Sequence, residues 1–126
     1  MSTGRQRALR IALVAFGLAF LLVYPLMVVW PSGWQWQPPQ HEYEQMIVGI
    51  YATLGIFLLL AAREPEAHRS LIWFTVWSSA VHGGIMAVQA LVDPAERGHL
   101  PGDVAALLLV AVVLGGLAPR RASRAA

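Results

Sequence analysis

The chain has 126 residues, of which 57% are hydrophobic and 13% charged, with a mean hydropathy of +0.57. A water-soluble domain carries about 25% charged residues, so this composition points to lipid, and the length suits one domain rather than two. The absence of Cys excludes a disulfide, a thiolate metal site, an iron–sulfur cluster and a catalytic thiol.

A helix needs about 20 apolar residues to cross roughly 30 Å of hydrocarbon. The first candidate is Ile11 to Trp30, which contains no charge. Its apolar run exceeds the 7–15 residues typical of a signal peptide, and no small-residue cleavage site follows, so it reads as a retained helix. Pro25, after Tyr24, predicts a kink in its last third. The segment Pro31 to Gln40 cannot be helix throughout, because Pro31, Gly33, Pro38 and Pro39 interrupt it.

The second span runs to Ala62 from about residue 44 and ends at Arg63, Glu64 and Pro65. The third covers Leu71 to Val92 and ends at Asp93 and Pro94. The fourth covers about 102–118, with Asp103 expected as its N-cap and Pro119 closing it. The first and fourth spans lack the polar face of a soluble helix, so an aqueous bundle is the weaker reading. The expected fold is all-α: one domain over residues 1–126, a four-helix transmembrane bundle in up-down-up-down order.

The nine basic residues, all Arg, set the expected orientation. Arg5, Arg7 and Arg10 precede the first span, Arg63 and Arg69 separate the second and third, and Arg120, Arg121 and Arg124 follow the fourth. Only Arg97 falls on the other set of loops. Arginine accumulates on the cytoplasmic side, so both termini are expected there, in a bacterial inner membrane. A pI near 9.7 could suggest nucleic acid, but arginines beside apolar spans form no basic groove. Trp30, Trp34 and Trp36 are expected at the outer interface, where an indole meets both lipid and water.

The third span carries the informative pattern. At 100° per residue, Thr75, Ser79, His82, Met86 and Gln89 share one face. Such a stripe is expected to face protein or a wet cavity, because lipid satisfies none of its hydrogen bonds. His82 lies at mid-span before Gly83 and Gly84. One reading makes it a proton relay, ligand contact or metal ligand. The plainer reading is a neutral His that bonds across helices, with the glycines admitting a close neighbour. Tyr51, on the second span, is placed to reach that stripe near His82 or Ser79.

The loops opposite the arginines collect His41, Glu42, Glu44, Asp93, Glu96, His99 and Asp103. Imidazole with carboxylate suits a metal, but the residues are scattered and lack ligand spacing, so no metal site is expected. No P-loop, nucleophile elbow or dinucleotide fingerprint is present, and Ser78 and Ser79 lack an orienting acid beside His82.

The stretches WPSGWQWQP, EYEQMIVGIYATLGIFLLLAAREP, HRSLIWFTVWSSAVHGGIMAVQAL and ERGHLPGDVAALLLVAVVL resemble a family of small bacterial four-helix membrane proteins of unknown function. VHGG and GHLPGD, with His82, His99 and Asp103, are the segments that carry it. The layout is also similar, in architecture alone, to DoxX-like membrane proteins. The resemblance implies an inner-membrane protein and no catalytic residues.

Three functions remain open on the sequence. The leading one is a non-catalytic accessory protein without a cofactor, partnered by lipid, by other membrane proteins or by copies of itself through glycine-bearing faces. The second is a small-molecule binder with a polar cavity lined by Thr75, Ser79, His82 and Gln89 and closed by Tyr51. The third is a metal- or cofactor-dependent redox protein using His82, or His41 and His99.

Overall fold

The computed structural model describes residues 2–36 and 41–120, with no strand among them. Helix α1 spans Thr3–Leu21, α2 Val23–Val29 and the short α3 Pro31–Trp34; α4 spans His41–Ala61, α5 Arg69–Val92 and α6 Ala105–Leu117. Arg121 and Arg124 lie outside the described residues.

Helices α4 and α5, with 21 and 24 residues, are about 31 and 36 Å long at 1.5 Å per residue. Each is long and apolar enough to cross a membrane, as is the run Pro94–Leu117. The α1–α2 pair qualifies as a fourth span if counted as one, bent by 56° at Leu22. Pro25 explains the bend: it has no N–H to give and its ring crowds the carbonyl four residues back, at Leu21.

Helix α6 has only 13 residues, about 20 Å, and cannot reach across hydrocarbon by itself. A 3-10 segment, Pro94–His99, and a π turn, Leu100–Val104, lead into it. Backbone that is not α-helical is tolerated at membrane depth only where protein covers it. Here Gly102, Asp103 and Val104 are all buried. Asp103 therefore sits inside this turn, and α6 begins without a side-chain cap. The capping role expected from the sequence gives way because the carboxylate is drawn to His99.

The helices associate as two pairs. α1 packs along α4 and α5 along α6, while α4 and α5 barely touch. Between helices apolar enough to span a membrane, close backbone approach contributes much of the contact. Gly17 and Gly55 supply it for the first pair: a Cβ on Gly55 would lie 2.6 Å from the Gly17 carbonyl oxygen. Gly83 does so for the second, against Leu107 and Leu108, whereas Gly49, Gly84 and Gly116 face open space.

One end of the molecule is fastened by arginines. Arg5 donates to the carbonyls of Gly116 and Ala118, and Arg69 and Trp73 both donate to that of Pro119. Cations and donors there satisfy carbonyls that a helix C-terminus leaves open. Next to this end lies the main apolar core, including Leu9, Leu13, Leu58, Ile72, Val110 and Leu114. A smaller cluster of Met86, Val104 and Leu107 forms toward the other end, and Tyr51 packs against both.

Candidate functional site

Between these two clusters lies a cavity of about 300 Å³. Its apolar wall comes from every long helix: Phe16 and Phe20 on α1, Ile47 on α4, Met86 on α5, and Leu107 and Val110 on α6, joined by Met27 of α2. Its polar groups come from Glu44, Tyr51, His82 and Asp103, with the indoles of Trp34 and Trp36.

Tyr51 on α4 and His82 on α5 meet across the gap between the helix pairs, the Tyr51 hydroxyl bonded to His82 Nδ1. Their rings tilt at 30° with centroids 5.7 Å apart, and Phe20 meets Tyr51 edge-on at 5.1 Å. The α4–α5 seam is thus held by a hydrogen bond where apolar contact is thin. Tyr51 is also within electrostatic reach of Asp103.

The second polar group closes the end away from the arginines. His99 Nδ1 lies 2.8 Å from Asp103 Oδ1, and its Nε2 lies 3.0 Å from the Gln35 carbonyl and 3.1 Å from Glu96. Trp36 stacks on this imidazole at 4.3 Å and 19°. Gln35 also donates through Nε2 to Glu44 at 3.1 Å, so it braces α4 and the His99 turn together.

Glycine makes this closure possible. A Cβ on Gly102 would lie 2.2 Å from the Gly33 carbonyl oxygen, and one on Gly98 2.6 Å from that of Ser32. The α3 segment therefore rests backbone on backbone upon the turn that carries His99 and Asp103.

The polar stripe read from the third span divides. His82 and Met86 reach the cavity wall, and His82 is the polar one of the two. Thr75 is fully buried, but its hydroxyl donates to its own helix at Leu71, and Ser79 is buried beyond the cavity. Gln89 is exposed on the outer side of α5, because a straight 100° projection ignores how little of α5 its neighbours cover. In the loop group, His99, Asp103 and Glu96 converge; Asp93 stays apart, exposed, accepting from the Ala95 amide. The His41 side chain lies outside the described residues. Among the described residues, no three His, Cys, Asp or Glu are arranged to hold a metal ion.

Gln35, Trp34 and Trp36 were not expected at the site, since tryptophan beside a span suggests an interface anchor. Trp34 Nε1 is buried with no hydrogen-bond partner among the described residues. The four-residue spacing of His99 and Asp103 within GHLPGD was the one signal for the closure: residues i and i+4 share a helical face.

A second hollow, of about 510 Å³, shares Met27 and Glu44 with the cavity. Its other walls include Tyr24, Val28 and Gly49, which are exposed.

The chain belongs to a family of unknown function, DUF6632, whose model matches residues 3–125. Searches of curated proteins and of solved structures give no match, so nothing supports the DoxX-like likeness.

Proposed function

Starting from membership of a family without an assigned activity, we propose that this chain is a multi-pass integral membrane protein that binds one small, mostly apolar molecule between its two helix pairs. The membrane is a bacterial inner membrane, the four apolar segments cross it up-down-up-down, and both termini are cytoplasmic. The orientation is supported by the arginines: Arg5 and Arg69 gather with the end of α6, and among the described arginines Arg97 alone lies near the opposite end.

The observation that carries the binding reading is the cavity. Ligand sites are concave, mostly apolar and furnished with a few convergent polar groups. Here apolar and aromatic side chains surround Tyr51, His82 and Asp103, and Trp34 Nε1 is a buried donor awaiting an acceptor. A volume of about 300 Å³ is roughly twice the ~150 Å³ that admits benzene, which suits one substituted ring or a short bicycle. The lateral hollow beside Tyr24 and Gly49 offers a route from lipid. The reading needs no metal and no catalytic step, and it differs from an accessory role by requiring a saturable ligand.

The test is calorimetric titration of the detergent-purified protein with 3-tert-butylphenol, corrected against empty micelles. Saturable binding of one molecule per chain is expected. Heat that only tracks micelle partitioning, with no saturation, would remove the proposal.

A further inference from the structure

One hydrogen bond on the cavity wall is left unmade. Trp34 lines the cavity, and its Nε1 is buried with no partner among the described residues. A buried indole N–H normally finds an acceptor, and leaving one unmet costs more than such a bond contributes on balance. Trp73 in the same chain shows the usual outcome: its Nε1 donates to the Pro119 carbonyl at 2.8 Å. Trp34 is held on both sides where it stands. The Gly33 backbone rests on Gly102, and Gln35 is bonded to Glu44 through its side chain and to His99 through its carbonyl.

The other polar groups of the wall are already engaged. Tyr51 is bonded to His82, Asp103 to His99, and Glu44 accepts from Gln35. What the wall lacks is an acceptor for one donor. Water fits poorly, because a buried water takes about two to four hydrogen bonds and this wall is mostly apolar. An ionised acceptor fits poorly too. An anion among apolar side chains is costly without a cation, and no Arg or Lys is among the described lining residues. A carbonyl oxygen answers the N–H without charge and without bringing a donor of its own.

Resting on the binding reading above, we infer that the cavity's occupant is a neutral carbonyl compound of the ketone or ester class, its oxygen accepting from Trp34 Nε1 and its apolar body lying among Phe20, Met86 and Val110.

The test compares acetophenone with α-methylstyrene, which carries a methylene where the ketone carries oxygen. Both are titrated onto the intact chain in neutral detergent and corrected against empty micelles. The ketone is expected to bind at least about fivefold more tightly. Trp34→Phe keeps an aromatic ring and removes the N–H, so it is expected to bring the two to parity. On the unaltered chain, the infrared carbonyl band of the bound ketone is expected below its position in alkane, a readout that holds where Trp34→Phe does not fold. Equal or tighter binding of α-methylstyrene overturns the carbonyl inference and leaves the cavity reading standing. So does a carbonyl band at the alkane position, or a preference that survives Trp34→Phe in a folded protein. Saturation by neither molecule overturns the inference, and the cavity reading falls with it if 3-tert-butylphenol also fails to saturate.

Discussion

Gly102→Ala tests the closure of the cavity. The new Cβ would stand 2.2 Å from the Gly33 carbonyl oxygen and 2.7 Å from that residue's C and Cα atoms, all of them backbone. Ordinary contact begins near 3.4 Å, so α3 must retreat by about 1 Å. That movement stretches the 3.0 Å bond from His99 to the Gln35 carbonyl beyond hydrogen-bond range and disturbs the Trp36–His99 stack. Overpacking costs about 1–3 kcal/mol and a lost hydrogen bond about 1 kcal/mol, giving an expected loss of about 2–4 kcal/mol. Gly84→Ala is the control: nothing lies within 4 Å of its Cβ, and within α5 the change adds up to about 1 kcal/mol of helix propensity. Thermal unfolding in one detergent compares the two. If Gly102→Ala melts with Gly84→Ala, α3 does not rest on this turn and the closure is wrong.

A double-mutant cycle of Tyr51→Phe and His82→Ala should give a coupling of about 0.6 kcal/mol, the average for interhelical hydrogen bonds in membranes, and at most about 1.7 kcal/mol; additive losses would mean that the two do not interact. Gly55→Ala should cost about 1–3 kcal/mol by forcing α4 from the Gly17 carbonyl, whereas Gly49→Ala, on the open face, should not destabilise, as unfolding curves would show. Arg69→Met should lose about 1 kcal/mol by removing one of the two donors, Arg69 and Trp73, that hold the Pro119 carbonyl at the end of α6, and an unchanged melting point would refute that fastening.

Most of the helix pattern could be read from the chain, because hydrophobic length and proline placement are local properties. The run from Ile11 to Trp30 and the disruption at Pro25 reappear as α1, α2 and their bend. Tyr51 and His82 were readable as partners, since an ionisable group at mid-span needs one. The cavity was less so. Gln89 fell on the right face by angle, yet α5 is covered on one side only, and coverage depends on how two helix pairs meet. Asp103 looked like a cap because it precedes an apolar run after Pro and Gly. The π turn and His99 redirect it, and only tertiary contact reveals that. Trp34 and Trp36 resembled interface anchors because their loop was taken to face water. Gly98 and Gly102 instead let that loop pack inward upon the turn.

The central claim is that the space between the helix pairs is a binding site, and filling it tests this most directly. Ala106 is half-buried on the cavity wall, whereas Val112, on the same helix, is 73% exposed and outside it. Calorimetric titration with 3-tert-butylphenol on Ala106→Trp and Val112→Trp, each checked for an intact fold by its elution and melting, separates the two faces. The account expects binding to vanish in Ala106→Trp and to persist in Val112→Trp. Undiminished binding in Ala106→Trp would contradict it.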